Sequence, residues 1–328
     1  MNRFVSLAAA GLFSLGLAAC GGGDKGAADP AEATATPDAA LKSATSALRQ
    51  NDVSQFVKLV LPEARYNEVK AKYEAQQAEA GAPDPAEAAE FAEMMGKLTA
   101  ADAETALMAE LEPQLAQFEA EMAPQMPMMI GMGRGMAVQG IQQNAEMSED
   151  QKRQATQVVD ALGNWLSGVK LADRELAKQA IAKAVATARA LDIKTLEQLQ
   201  ALSFDDALVK AGVAFGGLKD VLAVYGFDIN AALDSAQIEV LNTEGDTARV
   251  KVGYTLLGAT ISSEQDMVRE AGRWYGKDTM KAISDALDGQ AEAEVAAEPA
   301  PAEQPAPTEE AEVTEEPATV DEEETASQ

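Results

Sequence analysis

Through most of the chain apolar residues recur every three or four positions, and strict alternation appears only after residue 235. Thr36-Pro37 has the form of an N-cap followed by proline in the first helical turn, and Leu41, Ala44, Thr45 and Leu48 then share one face. Asn51-Asp52 ends that helix and starts another, whose stripe of Val53, Phe56, Val57, Val60 and Leu61 stops at Pro62. A longer helix is expected from Glu63, with Tyr66, Val69 and Tyr73 turned inward, up to the break Gly81-Ala82-Pro83-Asp84-Pro85. Asp84-Pro85 opens the next, and Thr99 is expected to cap its successor. There Leu107, Met108, Leu111, Leu115 and Phe118 keep helical spacing, and Pro113 should kink or restart the helix.

From Met122 to Met136 methionine, glycine and proline crowd together, with Met122, Met126, Met128, Met129, Met132 and Met136 among Gly131, Gly133 and Gly135. Glycine weakens a helix by about 1 kcal/mol relative to alanine, so this stretch is expected to be a mobile apolar loop. Ser148-Glu149-Asp150-Gln151 then matches a capping box, with Val158, Leu162, Trp165, Leu166 and Val169 behind it. Short helices fit Asp173 to Ala190, Lys194 to Leu202 and Ser203 to Phe215, where Gly216-Gly217 reads as a break. After Ala236 the period becomes 2: Ile238, Val240 and Leu241 precede a turn-rich Asn242 to Asp246. Val250, Val252, Tyr254 and Leu256 then alternate with polar positions. Met267-Val268, Ala271-Gly272 and Arg273-Trp274-Tyr275 predict a second hairpin, and Thr279 to Leu287 a last helix. The fold class expected is α+β and predominantly helical. A multi-helix region over 37–235 precedes a small antiparallel sheet of three or four strands plus a final helix over 236–288. The tail 289–328, of Ala, Glu, Pro and Thr, has too little apolar surface to offset chain entropy and is expected to be disordered.

Charge narrows the chemistry. The net charge is −28, and thirteen acidic residues with no basic one lie between Glu292 and Glu324. Such acidity argues against nucleic acid and anionic headgroups as partners. The chain has no histidine, which removes Ser-His-Asp and Cys-His catalytic centres, a histidine base and a histidine-ligated zinc. Its one cysteine, Cys20, rules out an intramolecular disulfide. Gly131-Met132-Gly133-Arg134-Gly135 lacks the Lys-Ser/Thr of a phosphate loop, and Ser262-Ser263 has no visible base, so an enzyme is not expected.

Cys20 has a more specific context. Met1-Asn2-Arg3 is a basic start, Phe4 to Ala19 an apolar run too short to span a bilayer, and Leu17-Ala18-Ala19-Cys20 closes it. The segment resembles the signal peptide and lipobox of bacterial lipoproteins. That resemblance implies removal of residues 1–19, diacylglyceryl transfer to the Cys20 sulfur and acylation of its new amino group, with no other cofactor. It also implies an exported protein held in a membrane by its lipids, beginning with a flexible tether over 20–36. Gly21 after the cysteine implies the outer membrane, with the inner membrane as the other possibility.

Two candidate sites follow. The methionine-rich stretch has three open readings: packing in a core or oligomer contact, an apolar binding or membrane-contacting lip, and a Cu(I) site using the soft thioethers of Met126, Met128, Met129 and Met132. Tyr254, Trp274 and Tyr275 are candidates to line a ligand cleft, or else core aromatics. The opening helix with Arg49-Gln50-Asn51-Asp52, and the closing Gly245-Asp246-Thr247-Ala248-Arg249-Val250 and Ala271-Gly272-Arg273-Trp274-Tyr275, resemble the two ends of small NTF2-like or cystatin-like secreted domains. That resemblance implies a helix in the concavity of a curved sheet and leaves the function open. The expectation is a non-enzymatic, lipid-anchored binding or interaction module, partnered by the membrane and by another envelope protein. The alternative is a periplasmic carrier of a small apolar ligand or Cu(I).

Overall fold

The computed structural model describes residues 33–145 and 147–287. The signal segment, Cys20, most of the tether and the tail 289–328 lie outside the described residues. The described chain forms helices α1 (Pro37–Arg49), α2 (Val53–Val60), α3 (Glu63–Glu79), α4 (Pro85–Thr99) and α5 (Ala103–Gln117), then a π-helical turn (Phe118–Met122). Next come α6 (Met126–Gln143), α7 (Glu149–Gly168), α8 (Arg174–Leu191), α9 (Leu196–Gln200), α10 (Phe204–Val224) and α11 (Ile229–Asp234). Strands β1 (Gln237–Glu244), β2 (Thr247–Leu256), β3 (Ala259–Glu270) and β4 (Arg273–Gly276) precede α12 (Lys277–Leu287). The fold is α+β and mainly helical, closed by an antiparallel meander in the order β1-β2-β3-β4.

Helix starts sit where short polar side chains can accept from free backbone donors. Thr36, Asp52, Asp84 and Asp173 each accept a bond from a backbone N–H in the turn they open. Ser148 and Gln151 complete the reciprocal capping box. Thr99 is not a cap: it is the last residue of α4, its hydroxyl donates to the Met95 carbonyl at 2.7 Å, and Asp102 stands at the N-cap of α5. Pro113 does not restart α5, which runs through it to Gln117.

Two glycine readings are corrected. Gly216-Gly217 does not end α10, because these glycines are contact points. A Cβ on Gly216 would come 2.7 Å from the Asn51 amide nitrogen, and one on Gly217 would come 2.6 Å from Thr187 Cβ on α8. Gly212 one turn earlier lies against the backbone of Asn51, the positive-φ residue between α1 and α2. On the same side of α10 the buried Lys219 donates to the carbonyls of Leu48 at 2.8 Å and Arg49 at 3.2 Å, and to Asn230 Oδ1 at 2.7 Å. An ammonium thus meets the negative end of α1. Burial, with help from nearby Arg49, lowers the Lys219 pKa to about 8.

The other correction is the methionine segment, which forms the regular helix α6 and not a loop. Pro127 falls in its first turn, where no intrahelical donor is lost. Ile130, Val138 and Ile141 are half-buried at helical spacing, and packing on α7 offsets the glycine cost.

In the sheet, Ala248, Val250, Val252, Tyr254 and Leu256 are all buried, whereas Arg249, Lys251 and Thr255 between them are exposed. α1 covers one end of the apolar face, joining Ala40 to Val250, Val252, Met267 and Trp274. Ala232 of α11 and Val158 of α7 cover the other, against Tyr254, Leu256 and Ile261. β3 is longer than the sequence pattern indicates, and β1 continues through Asn242 to Glu244 with a bulge beside Leu241, so the hairpin turn is only Gly245-Asp246. The two ends of the described region are brought together, since Trp274 N–H donates to the Thr34 carbonyl at 3.0 Å and Arg273 Nε to the Thr34 hydroxyl at 2.8 Å.

Candidate functional site

α6 is amphipathic in an inverted sense. Met126, Ile130, Val138 and Ile141 are half-buried along one side, which packs chiefly on α7. At 100° per residue, Met128, Met129, Met132, Gly135, Met136 and Gly140 lie on the side turned away from them. Met128, Met132 and Met136 are 69%, 61% and 63% exposed, and Met129 41%. A Cβ on Gly131, Gly133, Gly135 or Gly140 would touch nothing, so these glycines keep the helix slim without serving a contact inside the chain.

Electrostatics isolate this face. Between Glu121 and Glu146 there is no acidic residue, in a chain with 54 of them. Arg134 is the only charge in that interval, and it is spoken for: its Nε donates to Asp160 at 2.7 Å, its Nη1 meets Asn164 Oδ1 at 3.5 Å, and its Cδ lies against Gly163. The outer surface of α6 is therefore neutral and rich in thioether.

The predicted methionine set divides. Met128, Met129 and Met132, at positions i, i+1 and i+4, share the outer side, where neighbouring Cβ atoms are about 5–6 Å apart. Met126 points the other way and lines a cavity of about 350 Å³ with Phe118, Ile130 and Leu166. Met136, which the metal set omitted, extends the outer stripe.

The predicted aromatic set does not come together around a cavity. Tyr254 is buried with Ala232, Leu256 and Ile261 at one end of the sheet, while Trp274 is buried with Val250 and Met267 at the other. Tyr275 is buried as well, and burial raises the hydroxyl pKa of both tyrosines. All three stand as core side chains, the packing alternative for these residues.

A second polar cluster ties α3 to α10. Asp205 accepts from Tyr66 at 2.7 Å and pairs with Lys70 at 2.7 Å, which holds its carboxyl below the usual range. The Tyr66 hydroxyl is pushed up to about 12 by burial and by that carboxylate. Tyr66 and Tyr73 both pack on Phe204 at 5.5 Å between ring centres, so this cluster seats a helix and presents no reactive group. Sequence reading missed the Arg134–Asp160 anchor and the cavity walls at Phe118, Leu166 and Lys170, which residues up to about 50 positions apart build together. Among the described residues no helix is long and apolar enough to cross a membrane. No protein-family description, no curated protein and no solved structure matches this chain.

Proposed function

We propose that this protein is a non-enzymatic interaction module of the bacterial envelope, anchored in the outer membrane by lipids on Cys20, with the outer face of α6 as its docking surface. The observation that carries the docking role is the stripe Met128, Met129, Met132 and Met136, exposed on a long segment free of carboxylates. Methionine adapts its three torsions to the partner's contour, and glycines beside it let another backbone approach. Burying the exposed part of each thioether side chain contributes about 1 kcal/mol, enough in sum for a reversible contact with another envelope protein. The anchor rests on Leu17-Ala18-Ala19-Cys20, and mass spectrometry of cell-extracted protein tests it: an unacylated or uncleaved N-terminus refutes it.

Photo-crosslinking in cells tests the docking face. With a photoreactive residue at Met132, a discrete protein adduct is expected, lost when Met128 and Met136 become Gln. The same group at exposed Lys251 on the far side of the sheet should give none. Equal background at both positions refutes the assignment.

The spacing of Met128, Met129 and Met132 favours a second reading, a Cu(I) carrier in which three thioethers converge on one ion without Met126. Competition against a Cu(I) chelator distinguishes it. Loss of copper uptake in Met129→Leu and Met132→Leu, with Met126→Leu unchanged, supports it, and no uptake at micromolar Cu(I) refutes it.

A further inference from the structure

The inner side of the same helix bounds a separate feature. After α5 the chain makes one π-helical turn, in which Ala123 N–H donates to the Phe118 carbonyl five residues back at 2.8 Å. A π turn inserts a residue into the helical spacing and is costly in isolation, so it is retained mostly where a function requires it. Phe118 at the start of this turn and Ala123 just after it both line the cavity of about 350 Å³. Phe118, Met126, Ile130, Leu166, Val169 and Leu171 supply its apolar wall, polar groups line the rest, and the space stands half open to solvent. Beneath it lies the cluster of Leu115, Ala172 and Ala177, to which Phe118 also belongs. The volume falls in the range of small-molecule sites.

The polar groups on the rim narrow the choice of occupant. Glu119 is paired with Arg174, which also holds Glu112 at 3.1 Å. Asp173 accepts from the N–H groups of Glu175 at 2.9 Å and Leu176 at 3.2 Å as the N-cap of α8. Ser167 donates to the Gly163 carbonyl at 2.8 Å. These three are engaged within the protein. Lys170 is the exception: its carbonyl closes the turn to Asp173 N–H at 3.1 Å, and its exposed ammonium has no hydrogen bond or ion pair among the described residues. A molecule in this cavity therefore gains apolar contact along its length and finds one open charge, which is positive.

We infer that the cavity under α6 binds a medium-chain fatty-acid carboxylate, its alkyl chain between Phe118 and Leu166 and its carboxylate at Lys170. Apolar burial supplies most of the affinity, and the exposed ion pair sets orientation more than strength. The site shares no residue with the outer methionine stripe and does not depend on the docking reading.

The test is photolabelling of the full-length protein with diazirine-bearing dodecanoate, with adducts mapped by peptide mass spectrometry. Adducts are expected in 118–130 and 166–173, competed by unlabelled dodecanoate and only weakly by its methyl ester. Ala123→Trp, which fills the cavity, should lower labelling there by at least about tenfold. Lys170→Glu, an exposed change that leaves the fold intact, should lower it by about threefold. Met128→Gln and Met132→Gln should leave it unchanged, so failure of the docking reading and failure of this one are separable. Adducts confined to other segments, or unaffected by both Ala123→Trp and Lys170→Glu, overturn the site. Equal competition by the methyl ester overturns the carboxylate.

Discussion

Replacing Gly212 by alanine tests the packing of α10 on the turn between α1 and α2. In an ordinary helix this change stabilises by about 1 kcal/mol, since alanine is the better helix former. At Gly212 the new methyl would run into the Asn51 carbonyl oxygen, with the Asn51 carbonyl carbon at 3.5 Å and Val53 N at 3.7 Å. All three are backbone atoms, and no side-chain rotation relieves the clash. Asn51 cannot yield freely either, because its φ of 62° is held by its own N–H bonding to the Leu48 carbonyl at 3.2 Å and by Asp52 N–H bonding to the Ala47 carbonyl at 2.8 Å. Overpacking of this kind costs about 1–3 kcal/mol, and lifting α10 also stretches the bonds from Lys219 to Leu48 and Arg49. The net expectation is a loss of about 2 kcal/mol, or about 4–8 °C in Tm for a body of this size. Gly131→Ala on α6 is the control, since its Cβ meets open space and should raise Tm by about 2 °C. Thermal unfolding of the full chain by far-ultraviolet circular dichroism measures both. If Gly212→Ala gains stability as Gly131→Ala does, α10 does not rest on Asn51.

Lys219 predicts a pH dependence with a definite sign. Its pKa falls from 10.5 unfolded to about 8 folded, so the buried ammonium opposes folding below pH 8, and that cost is relieved as pH rises from about 8 to 10.5. Across this window the stability of the wild type relative to Lys219→Met should rise, by at most about 3 kcal/mol, in urea unfolding. Arg49 strengthens the effect, and Asp220, Asp228 and Asp234 moderate it; a flat or falling difference would contradict the burial described. Trp274→Ala should cost about 3–5 kcal/mol, because it empties the space between α1 and the sheet, and a loss below about 1 kcal/mol in chemical unfolding would show that this core is loosely filled.

Helix beginnings were legible because capping is local: Thr36, Asp52, Asp84, Ser148 and Asp173 sit within three residues of the donors they satisfy. Glycine was the ambiguous sign. The same residue that ends a helix at Gly226, with φ of 83°, lets two helices touch at Gly216 and Gly217, and spacing along one chain does not distinguish these uses. β3 was only partly visible because its inward positions include Ser263 and Gln265, opposite Val252 and Val250, which breaks the apolar alternation. For the candidate sites, the crowding of methionines was plain in the sequence, but which sulfurs face outward depended on helix phase. The cavity is lined by segments brought together in space, for which no short-range pattern exists.

The bond between Arg273 and Thr34 spans 239 positions, and through it the start of the described region is completed by the last strand, β4. Contacts so remote along the polymer are slow to form, because the entropy of closing the intervening loop must be met before they can contribute. A chain leaving the ribosome can therefore pack α1 on α2 early, but it cannot close α1 against the sheet until residue 276 has emerged.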